Sequence, residues 1–333
     1  MKNKLLLGTA LATSLVAVNT ASFADAKVTG SVEMTYNSVE DTTSDSDGDI
    51  GSESTVKFSG TKDLDIGTMT TSFKLEEAAI EAPNLQIKNG DTTIGVGADF
   101  APNLSFNGVP TVGDHAGTVT KNVATSSLLE TTEGSGTIKN ANGLLVAQSF
   151  DGGKLSAYIV PSMGSTQSGG SDSGLSSAAS SGSAYNLMFS GNMGVDGLSV
   201  KAGINDKTGK DGNADGSATN VALSYNFGQF SAGVQQINLE NVDTSSNQDE
   251  YETTSVGVAF AANDNLSFSL NMYETDGDTD GTDLTSKEEA TMVAVGYSLG
   301  GLGLEISFAE IEDIAGTAGD DGDSFQIRTV GKF

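Results

Sequence analysis

The 333-residue sequence contains no cysteine, no tryptophan, one histidine (His115) and one arginine (Arg328). Without cysteine there can be no disulfide framework and no thiolate metal or redox site, and one histidine cannot build a histidine cluster. Hydrolytic triads and zinc centres have almost no material. The one enzymatic reading left is an acid pair somewhere among 44 carboxylates, which no motif singles out. Long apolar runs are missing as well: past the N-terminus nothing approaches the roughly eighteen unbroken apolar residues of a membrane helix. A chain like this can cross a bilayer only with strands.

The N-terminus reads as an export signal. Lys2 and Lys4 form a basic start, Leu5 to Val18 an apolar run too short to anchor, and Ser22-Phe23-Ala24 a small-x-small cleavage site. The expectation is a signal peptide over residues 1–24 and an exported chain over 25–333, with a cut after Ala26 as the near alternative. The leader takes two of the 16 basic residues and none of the 44 acidic ones, which leaves a formal charge of −30 with histidine neutral. Such a chain repels nucleic acid, which is excluded as a partner, and gathers cations; solubility in salty water would account for the same charge.

Period-two alternation is what the sequence has in quantity. From Val28 onward an alternating segment of about ten residues, a tight Gly/Asn/Asp turn, a second alternating segment and a longer polar loop recur. The clearest strands are Thr29 to Tyr36, Leu198 to Asn205, Thr219 to Phe227, Leu266 to Tyr273, Thr291 to Leu299, Leu302 to Ala309 and Ser324 to Phe333. In Leu266 to Tyr273 one face carries Leu266, Phe268, Leu270 and Met272 and the other Ser267, Ser269 and Asn271. In Leu302 to Ala309, Leu302, Leu304, Ile306 and Phe308 oppose Gly303, Glu305 and Ser307. Small polar residues on one side and Leu, Val, Ile and Phe on the other suit an inside-out barrel better than a soluble sandwich.

Seven short turns (Lys62 to Gly67, Asn89 to Asp91, Asp151 to Gly153, Asn192 to Gly197, Gly228 to Gln229, Ala262 to Asn265, Gly300 to Gly301) alternate with eight longer loops. These start at Val39, Ala78, Asp99, Pro161, Asp206, Glu240, Thr275 and Glu312. Fifteen connections predict sixteen strands, and one miscounted hairpin would give fourteen or eighteen. Expected is an all-β, transmembrane antiparallel barrel with short turns at one end and long loops at the other. Phe150, Phe227, Phe230, Tyr297 and Phe333 fall near the short-turn end and Tyr36, Tyr185 and Tyr251 near the loop end, a partial aromatic girdle.

A chain ending on the aromatic residue of an amphipathic strand resembles Gram-negative outer-membrane proteins. With the leader running into V-T-G-S-V-E-M-T-Y, the hairpin N-L-Q-I-K-N-G-D-T-T-I-G-V-G and the outsized loop that follows, it is similar to the general diffusion porins across the whole mature chain. The resemblance implies an outer-membrane homotrimer among lipid and lipopolysaccharide, passing small hydrophilic solutes without catalysis or cofactor. It further implies a last strand that the insertion machinery reads and that closes the barrel, with Phe333 at the seam. The third loop, 99–142, would fold inward as a constriction, anchored by Leu104, Phe106, Val109, Leu128 and Leu129. Such porins commonly set several arginines against the loop's acids, and here Arg328 stands alone.

Alternation assigns the candidate pore residues. If Val56, Phe58, Phe73, Leu75, Leu85, Ile87, Phe325 and Ile327 face lipid, then Lys57, Lys74, Lys88 and Arg328 face the lumen and form a basic wall. Asp114, Glu130 and Glu133 of the third loop would face it, with net cation preference overall. Asp211-x-Asn213-x-Asp215-Gly216 and Asp276-x-Asp278-x-Asp280-Gly281 copy the first half of an EF-hand loop but lack the closing glutamate, so at most weak calcium binding is expected there. A barrel that merely displays these acidic loops, as an adhesin or receptor, is the competing function.

Overall fold

The computed structural model describes residues 25–41, 45–76, 79–97, 108–113, 128, 142–161, 182–208, 215–240, 250–279 and 282–333. The first five strands are β1 (Asp25–Asp41), β2 (Asp45–Leu64), β3 (Gly67–Glu76), β4 (Ala79–Asn89) and β5 (Thr92–Gly97). After the third loop come β6 (Gly143–Phe150), β7 (Gly153–Val160), β8 (Ser183–Gly191), β9 (Leu198–Thr208), β10 (Gly216–Phe227) and β11 (Phe230–Glu240). The chain finishes with β12 (Glu250–Ala261), β13 (Leu266–Thr279), the two-residue β14 (Thr282–Asp283), β15 (Glu288–Leu299), β16 (Leu302–Glu312) and β17 (Gly322–Lys332). Apart from β14, which folds back on the end of β13, each strand pairs antiparallel with the next, and β17 returns to β1 from Ser31↔Lys332 to Asp41↔Gly322. Sixteen strands therefore close a barrel and leave no edge, as a sheet in lipid requires.

All seven short turns lie where alternation predicts them. At Gly228 and Gly300, φ of 75° and 62° calls for a residue without a Cβ. The outer face carries the exposed apolar residues: Val28, Val32, Ile94, Val146, Val221, Val256, Leu270, Val293 and Phe308 all stand on it. Near the short turns it holds an aromatic row, Tyr225, Phe227, Phe230 and Phe260, with successive ring centroids 6.3, 5.8 and 4.7 Å apart. Tyr185 is likewise exposed, but Tyr251 points inward and is buried, so it does not belong to the loop-end girdle.

The strands run further toward the loops than lipid-facing alternation extends. β1 continues to Asp41 and β2 starts at Asp45, so the first loop is much shorter than Val39 to Gly51; β13 likewise runs past Thr275 to Thr279. In these extensions the two faces exchange character. On β11, Phe230 and Val234 are exposed on the outer face, whereas Ile237 and Leu239 are buried on the inner face opposite exposed Gln236 and Asn238. The same exchange brings Tyr251, Tyr273, Met292 and Ile311 inward, where they pack with Leu239, Ile314 and Leu128. Here the inner face is thus apolar, correcting the expectation of a uniformly small and polar lining. Above the apolar band the outer face meets water and the hydrophobic effect favours burial inside.

Candidate pore lining

Two inner surfaces differ in composition and covering. On β10 to β15 the inner face below the apolar cluster sets small residues, among them Ala222, Ser224, Gly233, Gly257, Ser269 and Gly296, beside the amides of Asn220, Gln235 and Asn271. Gly233 and Gly257 stand directly opposite each other in the register. Residues 108–113 of the third loop lie on this bed. Gly108 N–H donates to Gln235 Oε1 at 3.1 Å, Val112 N–H to Ser269 Oγ at 3.0 Å, and Asn271 Nδ2 to Pro110 O at 2.8 Å. A Cβ on Gly257 would come within 2.8 Å of Pro110 O and 3.0 Å of the Val109 Cβ, and one on Gly296 within 2.7 Å of Val112 Cγ1. Small residues are therefore needed here to make room for a second backbone, beyond any preference of a wet lumen for polarity.

The same connection is held elsewhere. Where it leaves β5 and re-enters at β6, the Tyr158 hydroxyl donates to Gly97 O at 2.8 Å and its ring fills the space beside Gly143. Further along, Leu128 is buried in the apolar cluster. Val109 and Leu128 are thus both buried; Leu104, Phe106 and Leu129 lie outside the described residues.

From β16 through β17 and β1 to β3 the inner face is charged and only partly buried. Arg328 on β17 donates through Nη1 to Glu305 of β16 at 2.5 Å and through Nη2 to Glu33 of β1 at 2.6 Å. Glu33 stands opposite Glu53 of β2, and two residues along β2 Thr55 stands opposite Glu76 of β3. Lys74 Nζ donates to Glu76 Oε2 at 2.5 Å, and Lys57 stands opposite Lys74 in the β2 to β3 register. The result is a continuous row across five adjacent strands, with four carboxylates against Lys57, Lys74 and Arg328.

Lys57, Lys74 and Arg328 thus stand on one face in a wall that mixes them with carboxylates, where a basic wall was expected. The carboxylates were missed because each sits in an ordinary alternating strand, and only barrel closure brings β16, β17 and β1 to β3 side by side. Lys88 does not join the row. It pairs with Thr68, six residues along β3 from Lys74 and hence about 20 Å away at the strand rise, beside the Gly90–Asp91 turn. Asp114, Glu130 and Glu133 lie outside the described residues.

The calcium candidates fare differently. Asp276 and Asp278 belong to strand β13, paired with Glu252 and Glu250, instead of a curled loop. Asp276 also faces Lys287, whose ammonium is held above the ordinary lysine range chiefly by its hydrogen bond to Glu274 and secondarily by Asp276. Among the described residues no group of three acidic or histidine side chains could hold a metal. Asp211, Asn213 and Asp280 lie outside them, and Asp215 is exposed at the start of β10.

At the barrel seam, Gly30 N–H donates to Phe333 O and Phe333 N–H to Gly30 O, both at 3.0 Å, while the Phe333 ring lies over Gly30 on the outer face. Residues 10–288 match the sequence profile of the Gram-negative porin family. The chain belongs to that family. Its place is the outer membrane of a Gram-negative bacterium, where it forms a channel.

No curated protein matches the sequence significantly. Solved structures match the fold across nearly the whole chain. The outer-membrane-expressed OmpT of Vibrio cholerae is 13% identical with a TM-score of 0.66, covering 92% of this porin and 97% of the other chain. An anion-selective porin from Comamonas acidovorans is 16% identical, TM-score 0.64, covering 93% and 99%. OmpT in a trimer form is 14% identical, TM-score 0.64, covering 92% and 99%.

Proposed function

We propose that this porin passes small hydrophilic solutes and ions by passive diffusion, with a preference for cations. The observation that supports the preference is the inner row, where four carboxylates face the lumen with three cations. A mature charge of −30 on a low-dielectric wall reinforces it in the vestibules. The third loop narrows the path, since its residues 108–113 already lie on the inner bed. Glu130 and Glu133 add negative charge, so Glu130→Gln plus Glu133→Gln lowers cation preference, and Lys57→Ala plus Lys74→Ala raises it. We further assign the chain to a homotrimer, for which the trimer form of a solved relative is the support, surrounded by lipid and lipopolysaccharide and delivered by insertion machinery reading the last strand. Weak calcium uptake remains assigned to the Asp211 to Gly216 loop, tested by calorimetry at ~10 mM calcium.

The deciding experiment is a planar-bilayer recording with a salt gradient at low ionic strength. Stepwise conductance with a cation-selective reversal potential is expected, weakening as the Debye length falls from roughly 30 Å at 0.01 M to 3 Å at 1 M. An anion-selective potential at low salt would sink the preference. No conductance at all would favour a display barrel.

A further inference from the structure

Three loop-end connections meet on one buried carboxylate. Glu288, the first residue of β15, is 0% exposed, and its Oε2 accepts from Leu128 N–H at 2.9 Å and Ala315 N–H at 2.8 Å. Leu128 belongs to the third loop, the connection whose residues 108–113 lie on the bed. Ala315 belongs to the last connection, between β16 and β17. The stretch just before Glu288 is tied in as well: Thr285 Oγ1 donates to Gly316 O at 2.7 Å, Ser286 N–H to the same oxygen at 3.2 Å, and the Leu284 side chain packs against Gly316.

The last connection is built to present that donor. Asp313 and Ala315 have φ of 54° and 56°, two of only three non-glycine residues at positive φ among the described residues. Such backbone persists only where its surroundings hold it. Leu128, and Ile314 next to Ala315, belong to the buried apolar cluster, and in such surroundings charge-assisted hydrogen bonds are stronger than in water and an unmet charge is costly.

We propose that Glu288 is the positioning residue that latches the third loop inside the channel, and that through it the connections at 284–287 and 313–321 set the pore's conductance. The proposal rests on the channel reading above. It also makes loop-end residues that no alternation pattern singles out determinants of permeation.

A chain without cysteine makes the test direct, because Leu128→Cys supplies a single thiol. Its modification rate by a bulky polar maleimide is measured on folded, heat-modifiable barrel in detergent, alongside planar-bilayer conductance. The thiol is expected to be protected in the otherwise unchanged chain. Adding Glu288→Ala should speed labelling by about tenfold to a hundredfold, the equilibrium worth of hydrogen bonds to a buried charge, and should change conductance and its noise. Glu288→Gln, which keeps an acceptor oxygen, should fall between. Thr285→Val, which leaves Glu288 untouched, should act in the same direction by a smaller factor. If Glu288→Ala does not insert, the Gln and Thr285→Val variants decide the question. Labelling rates within about twofold of each other across folded variants would overturn the latch. Labelling that responds as expected in a chain that never conducts would instead overturn the channel reading and leave the latch standing.

Discussion

The inner surface of β10 to β15 and that of β16, β17 and β1 to β3 are built from the same alternating strands and do opposite things. The first receives a piece of the chain's own backbone: glycine, alanine and serine leave a trough, and Pro110 and Val112 lie in it. The second is met only at its β16 edge, where Gly113 lies against Glu305, and otherwise keeps its carboxylates and cations toward the lumen. Packing governs the first wall, where a single methyl group has no room. Coulombic interaction governs the second, where partly exposed charges pair across strands within reach of salt. A polar, small-residue face thus has two readings that period-two alternation cannot separate, a bed for a second segment or a wet lining.

The seam between β17 and β1 tests the charged wall most severely. Deleting Phe333 removes both hydrogen bonds to Gly30 and the ring that covers it, at the place where an unpaired edge would meet lipid at several kcal/mol per group. The expected outcome is loss of most outer-membrane insertion, read as heat-modifiable barrel in the membrane fraction. An undiminished yield would show that the eleven-residue register from Ser31 to Asp41 closes the barrel by itself.

Glycines on the two walls offer the sharpest contrast in packing. Gly257→Val must displace Pro110 and Val109, whereas Gly303→Val on β16 meets only Val330 O, at 3.9 Å. Overpacking should cost the first variant about 1–3 kcal/mol, or expel residues 108–113 and alter single-channel conductance, while the second leaves both nearly unchanged. Equal behaviour of the two in thermal melts and bilayers would erase the distinction between bed and open wall.

How much of this was legible in the sequence depends on which force wrote it. Lipid imposes apolar residues on every second position, so Leu266 to Met272 and Leu302 to Phe308 disclose their outer face, and the glycine turns between such runs give the strand number. Once a strand leaves the bilayer that imprint ends. At Ile237, Leu239, Met292 and Ile311 the apolar residues shift to the inner face, and the run reads as the start of a loop although the ladder continues. The charged row was half legible, because parity gives the face of Lys57 and Arg328, but height and neighbours come only from register. Glu288 was not legible at all, being one carboxylate among 44.

On the charged wall, Arg328→Gln leaves Glu33 and Glu305 without their shared cation. All three side chains are roughly one-fifth to one-quarter exposed, so solvent screening discounts the loss of stability to about 1–2 kcal/mol. The permeability ratio for cations should rise about threefold at low salt, as one removed charge a few ångströms from the path would produce, and return toward the parent value at 1 M.

The smallest effect is expected from Lys88, and its smallness is the informative part. Lys88 carries the same charge as Lys57 on the same inner face, so a wall that acted through net charge alone would respond equally to either. Its place beside the Gly90–Asp91 turn, about 20 Å along β3 from Lys74, puts it at the rim, where it is exposed to water. At 0.1 M salt the Debye length is about 10 Å, so its field at the Glu53–Glu76–Lys74 row is largely screened. Lys57→Ala should therefore shift the reversal potential clearly at 0.1 M and Lys88→Ala barely, the two converging only near 0.01 M, where the screening length of roughly 30 Å exceeds their separation. Equal shifts at 0.1 M would mean that selectivity is set by the vestibule's total charge, and that the row from Glu305 to Lys74 is a structural ion-pair chain with no say in which ions pass.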